Sequence, residues 1–159
     1  MLSIRPAGRE DVPVLHEMIR ELAEFERSLH KLTNTQADLL EDGFGPEPKF
    51  RALVADWADK PAGYALFFNS YSTWRGRQMF LEDLYVRPQF RRKGIATALM
   101  ARVAKVATAE KCRAMEWGVL DWNNKAINLY TSLGATFFDE CRIAMVKDDA
   151  LRELAARVA

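Results

Sequence analysis

Residues 85–100 read YVRPQFRRKGIATALM. Four cations, Arg87, Arg91, Arg92 and Lys93, stand just before a helix that starts at Gly94 or Ile95. A helix N-terminus has free N–H groups and a partial positive charge, so cations there lie at the unfavourable end of the dipole. The placement makes physical sense if a bound polyanion neutralises it. Free N–H groups at a strand–loop–helix turn form an anion site, and Arg adds bidentate contacts to phosphate. The small residues Gly94 and Ala96 let such a ligand approach the backbone. A solvated basic turn is the plainer alternative. The loop holds one Gly and no G-x-x-x-x-G-K-[ST], so it is neither a Walker motif nor a dinucleotide fingerprint.

Working outward, QMFLEDLYV (78–86) reads as the strand that enters this loop, and IATALMARVAKVATAEK (95–111) as the helix that leaves it. Upstream, Leu15, Met18, Ile19, Leu22 and Phe25 recur at helical spacing, with Gly8 or Asp11 as cap and Pro13 in the first turn. A shorter helix follows, with Thr35 and Asp38 as a capping box and Gly43 as its stop. FRALVADW (50–57) and YALFFNSY (64–71) form a hairpin around ADKPAG. Downstream, RAMEWGVL (113–120) is a strand. Residues from about Lys125 to Leu133 form a helix stopped by Gly134. FFDECRIAMVK (137–147) is strand-like, and a last helix is capped by Asp148 or Asp149. The order β-α-α-β-β-β-α-β-α-β-α predicts one α/β domain, 1–159, with a mixed sheet and helices on both faces.

Composition excludes several classes. The 159 residues are 49% hydrophobic and 28% charged, which suits one globular domain. Lys plus Arg is 23 against 22 for Asp plus Glu, a net charge of +1, so the bulk basic excess of a nucleic-acid binder is missing. Cys112 and Cys141 form no disulfide framework or zinc motif, and no apolar run reaches the ~20 residues that span a bilayer. His16 and His30 lack metal-ligand spacing. The expectation is a cytoplasmic protein with no metal, no membrane partner and no nucleic acid.

The stretch QFRRKGIA matches the [Q/R]-x-x-G-x-[G/A] loop of the Gcn5-related N-acetyltransferases. WNNKAINLYTSLGA (122–135) resembles that family's W-N-x-x-A-x-x-x-Y-x-x-x-G-A segment, and nearly the whole chain follows the family's order of elements. More narrowly, the chain resembles the diamine/polyamine (spermidine/spermine-type) acetyltransferases and their thialysine-acetylating relatives. IRPA (4–7), ELAEFE (21–26), DLLEDGFG (38–45), LEDLYV (81–86) and INLYTSLGA (127–135) carry this likeness. One departure is Cys141 before Arg142, where the polyamine-type pattern has Trp.

The resemblance implies a mixed, mostly antiparallel sheet and acetyl-CoA as co-substrate. Arg91, Arg92, Lys93, Gly94, Ile95, Ala96 and Thr97 would hold its pyrophosphate. The Leu84-Tyr85-Val86 segment would run beside the pantetheine arm, with Leu84 and Val86 pairing to it where two strands splay. Asn123 and Lys125 would lie near the cofactor's far side. Tyr130 matches the tyrosine that protonates the leaving thiolate, and Glu82 matches a carboxylate that helps deprotonate the amine. Glu26, Glu82 and Asp83 match acids around the acceptor. A homodimer is implied as well.

This chemistry needs such groups. An alkylamine with a pKa of about 10.4 costs roughly 4–5 kcal/mol to be neutral at pH 7, so a base must relay its proton. A tyrosine is a workable donor to a thiolate whose acid has a pKa of about 8.5. The acceptor expected is a small cationic amine. Alternatives are an aminoglycoside, an amino acid, a peptide or protein amine, or a non-catalytic acyl-CoA-binding role.

Overall fold

The computed structural model describes residues 1–158. The chain forms two compact units, Met1–Gly118 and Val119–Ala159. In the first, β1 (Leu2–Pro6), β2 (Arg51–Trp57), β3 (Lys60–Ser72), β4 (Gly76–Val86) and β5 (Ala114–Glu116) make one sheet in that spatial order. The first three pairings are antiparallel and β4–β5 is parallel, the mixed, mostly antiparallel sheet that the family resemblance implies.

Three helices flank the sheet: α1 (Val12–Phe25), α2 (Gln36–Phe44) and α3 (Ile95–Ala109). Strand alternation assigns the faces. Ala52, Val54, Tyr64, Leu66 and Tyr85 share a buried cluster with Leu15 and Met18 of α1. Arg51 lies on the opposite face, where its guanidinium donates to Glu110 at the end of α3. Leu99, Val103 and Ala107 form the buried stripe of α3. Burying each such Leu or Val contributes about 1.5–3 kcal/mol.

The start of α1 is held by a charge pair. The buried Asp11 carboxylate accepts from Arg5 at 2.7 and 2.8 Å and from the Gly8 N–H at 2.8 Å. These bonds, Arg5 first, hold its carboxyl below the usual range despite burial. The expected capping box of α2 is present: Asp38 N–H donates to Thr35 Oγ1 at 3.1 Å and Thr35 N–H donates back at 2.8 Å. Gly43, however, does not stop this helix, which runs on to Phe44 with Gly45 after it. A Cβ at Gly43 would come within 2.2 Å of the Phe50 ring, so a larger residue there would require that ring to shift.

Two strand expectations are corrected. The strand expected at 113–120 covers only Ala114–Glu116. Residues 137–147 form no strand, and Ile143 and Met145 are 91% and 77% exposed. Local β-preference is present in that segment, but a ladder needs a partner edge, and no strand pairs with it among the described residues.

In the second unit, α4 (Asn124–Ser132) is capped by Asn123, whose Oδ1 accepts from Ala126 N–H at 3.3 Å. It ends as expected at Gly134, which takes a φ of +88°. Ala135 N–H returns to Tyr130 O and Gly134 N–H to Thr131 O, each at 3.0 Å, a Schellman ending. α5 is Asp148–Ala155; Lys147 holds the cap position, and Asp148 and Asp149 fall in the first turn.

One glycine sets the spacing of β3 and β4. A Cβ at Gly63 would sit 2.4 Å from the main-chain oxygen of Tyr85. Backbone cannot yield as a side-chain tip can. Gly63→Ala is expected to destabilise the fold by about 2–3 kcal/mol, read as a lower urea midpoint. An unchanged midpoint would contradict the close approach.

Candidate active site

β5 leaves β4 early. Their pairing ends at Phe80 opposite Glu116, and from Leu81 onward β3 is the only strand partner of β4 among the described residues. The orientation of the remaining groups follows from two contacts. Arg87 N–H donates to Ala62 O at 2.9 Å, and the Tyr85 carbonyl faces Gly63. Alternate residues of a strand direct their main-chain groups to opposite sides. The N–H and C=O of Leu84 and the N–H of Val86 therefore point to the open edge. The Val86 carbonyl also faces away from β3, where Arg91 Nε donates to it at 3.0 Å.

Tyr85, expected with these residues, does not share the edge. Its carbonyl points to β3, and its side chain packs in the α1 cluster, 6.4 Å centroid to centroid from Tyr64.

Below the edge lies the basic loop. Gly94, at a φ of +75°, forms the cap position of α3 and supplies no side-chain hydrogen bond. The first helical bond is Ala98 N–H to Gly94 O, so the N–H groups of Ile95, Ala96 and Thr97 precede the ladder. Arg91 lies 5.1 Å from the Phe25 ring centroid and Lys93 lies 5.0 Å from that of Trp57. Arg92 takes a φ of +61° and is exposed. Arg87 has a different assignment. It pairs with Glu21 at 2.8 Å and Glu17 at 2.9 Å on α1. Three cations, not four, thus stand at the helix start.

At the other end of the edge, β4 carries a bulge. Leu66 pairs with Asp83 and Phe67 with Leu81, which leaves Glu82 without a partner. Strict alternation, which would send Glu82 and Asp83 to opposite faces, is broken there. Glu82 is exposed and Asp83 half-buried. The Tyr64 hydroxyl donates to Asp83 Oδ2 at 2.9 Å. Burial pushes the Asp83 carboxyl up to about 6; the Tyr64 bond opposes this, and the charges of Glu82 and Glu26 add to it. Burial also raises Glu26, at the end of α1. Tyr64 is held well above its ordinary value by burial and then by Asp83.

The structure therefore gathers Glu26, Glu82 and Asp83, and adds Tyr64, which the sequence reading missed. Its signal was available in hairpin register, since Tyr64 lies opposite Tyr85, two residues from Asp83. Asn123, Lys125 and Tyr130 lie on or beside α4. Asn123 is engaged as a cap, Lys125 is exposed and Tyr130 is buried. Cys112 is half-buried and Cys141 is exposed. Among the described residues no cluster of His, Cys, Asp and Glu is arranged to hold a metal, and no helix is long and apolar enough to cross a membrane.

A free strand edge above an uncapped, basic helix start is the arrangement of an acyl-CoA-dependent transferase. Residues 15–135 match the acetyltransferase (GNAT) family, and the chain belongs to it. It is 42% identical to a thialysine N-epsilon-acetyltransferase of Mus musculus over 97% of each chain. It is 38% identical to a spermidine/spermine N(1)-acetyltransferase-like protein 1 of Homo sapiens, over 83% of this chain and 20% of that one. Among solved structures, an integron cassette protein from the mobile metagenome of V. cholerae matches with a TM-score of 0.78 at 23% identity, over 97% of each chain. An aminoglycoside N-acetyltransferase in complex with CoA matches with a TM-score of 0.73 at 19% identity, over 93% of this chain and 95% of that one. These structural likenesses show the fold.

The raised Asp83 has a consequence for stability. A carboxyl that titrates higher in the folded state than unfolded opposes folding once ionised, so its cost is absent below the unfolded pKa and develops as pH rises toward about 6. Asp83→Asn, which can still accept from Tyr64, should be more stable than wild type by about 1–2 kcal/mol at pH 8. The gap should close near pH 4, as read from thermal unfolding at both pH values. A gap independent of pH would contradict this.

Proposed function

We propose that the protein transfers the acetyl group of acetyl-CoA to a primary amine of a small cationic acceptor, a thialysine-like amino acid or a diamine or polyamine. The observation that carries this reading is the meeting of three carboxylates, Glu26, Glu82 and Asp83, at the bulge where the open edge of β4 begins. A cationic amine is the partner that such a group favours. The curated relatives named for thialysine and for spermidine/spermine support the same acceptor class.

In this mechanism Leu84 and Val86 bond the pantetheine arm as an added strand. The loop Arg91–Thr97 receives the pyrophosphate on its free N–H groups and cations. Glu82 takes a proton from the bound ammonium, directly or through a water. The neutral amine attacks the thioester carbonyl, whose oxygen is met by the Leu84 N–H. The C–N bond forms as the C–S bond breaks; Tyr130 donates its proton to the departing sulfur, and the second proton shed by the attacking nitrogen passes through solvent to restore the phenol. By the family resemblance, Asn123 and Lys125 would be the residues toward the far side of the co-substrate. No covalent enzyme intermediate is required.

The working form we propose is a cytoplasmic homodimer with no metal, nucleic-acid or membrane partner. Phe138, Ile143 and Met145 are 66%, 91% and 77% exposed, and a second copy is a suitable cover for them. The net charge of +1 gives no bulk basic excess for a nucleic-acid partner.

The test is free-thiol release from acetyl-CoA with putrescine, spermidine, spermine, thialysine, lysine, an aminoglycoside and a basic peptide. Turnover with thialysine or a small diamine or polyamine is expected. Tyr130→Phe should lower kcat by about 10²-fold or more, with the KM for acetyl-CoA unchanged. Turnover confined to the aminoglycoside or the peptide would overturn the acceptor class. Tight acetyl-CoA binding without thiol release would overturn the reaction.

A further inference from the structure

From the α1-side core, the Tyr64 hydroxyl reaches into the acidic cluster. Tyr64 is fully buried, packed among Leu15, Met18 and Tyr85. A buried hydroxyl requires a partner, and a main-chain carbonyl would suffice. Tyr64 instead donates to Asp83 Oδ2, a carboxylate that already faces two others. No Lys or Arg ion-pairs with Glu26, Glu82 or Asp83 among the described residues. Three carboxylates without a cation form an arrangement that the fold alone does not favour.

We propose that Tyr64 is a positioning residue for the amine: it commits one oxygen of Asp83 and so presents the other to the ammonium group of the acceptor. This rests on the reading of the acidic cluster as the acceptor site. The phenol ring is locked by its neighbours, so the bond orients the carboxylate with little rotamer freedom left to lose. No donor among the described residues engages Asp83 Oδ1, which is the oxygen left for the ligand. The other charged and titratable groups that act on Asp83 are Glu26 from the end of α1 and Glu82 from its own strand. Tyr85, next along on the same face, is itself pushed up to about 12, by burial and by Glu21.

A hydrogen bond donated to a carboxylate favours its ionised form. Asp83 must be ionised to attract a cation, so amine affinity falls as pH drops through its pKa. Loss of the Tyr64 hydroxyl moves that fall to higher pH.

The experiment compares wild type, Tyr64→Phe, Asp83→Asn and the double variant, with folding checked by circular dichroism. Two quantities are read: the ¹³Cγ NMR titration of Asp83, and the pH profile of kcat/KM for the amine at saturating acetyl-CoA. Tyr64→Phe should raise the Asp83 midpoint by about one pH unit and carry the acid limb of the profile with it. Near the midpoint the KM for the amine should rise several-fold, while that for acetyl-CoA stays unchanged. The double variant should be no worse than Asp83→Asn. If Tyr64→Phe does not fold, 3-fluorotyrosine at this position, a stronger donor, should move the midpoint down. An unmoved midpoint, or a moved midpoint with an unmoved acid limb, overturns the positioning role. Wild type that acetylates none of the amines overturns the acceptor reading itself, and that result precedes any variant.

Discussion

The site depends on a strand that loses one neighbour halfway along. β4 is paired on both sides at Gln78–Phe80 and on one side beyond. Main-chain N–H and C=O groups at such an edge demand partners. The Val86 carbonyl finds one in Arg91, and the donors of Leu84 and Val86 remain for an extended ligand. Everything else is arranged around that edge. Gly63 lets β3 and β4 approach closely beside it, and α3 begins where the strand's loop returns. A ligand seated there would have an amide-bearing arm beside the strand and phosphates beside the helix start.

Charge is distributed along the same line with opposite signs at its ends. Cations Arg91, Arg92 and Lys93 collect at the loop, and carboxylates Glu26, Glu82 and Asp83 at the bulge. Arg87 is the boundary between them. Although it belongs to the loop by sequence, its pairs with Glu17 and Glu21 tie β4 to α1. The bulge matters because it releases Glu82 from the regular ladder while leaving Asp83 on the α1 face, under Tyr64. Two adjacent acids thereby obtain different surroundings. One is exposed and the other is half-buried with a raised pKa. Divergent environments are what allow neighbouring carboxyls to do different work.

Local chemistry made much of this legible from sequence. The capping box Thr35–Asp38, the αL stop at Gly134 and the stripe of α1 each follow from residues a few positions apart. The loop after LEDLYV was readable for the same reason, because strand, basic turn, Gly and helix are contiguous. What was not legible depended on distant partners. Arg87 finds Glu21 across 66 positions, and Tyr64 finds Asp83 through hairpin register. The bulge at Glu82 is a property of the β3–β4 pairing and leaves no mark in the periodicity of β4. Residues 137–147 have strand-forming composition and no ladder, so propensity alone gave the wrong element there. Tyr130 was identified through a motif, and its role rests on that motif.

The account stands or falls on the open edge of β4. Amide resonances of the ¹⁵N-labelled protein should be followed as acetyl-CoA is added to saturation. Leu84 and Val86 should shift strongly and become protected from hydrogen exchange, together with Ile95 to Thr97, while the Tyr85 amide, which faces β3, should move little. Binding that leaves Leu84 and Val86 unchanged would contradict the account, since the co-substrate would then lie elsewhere and the strand edge would have no part in holding it.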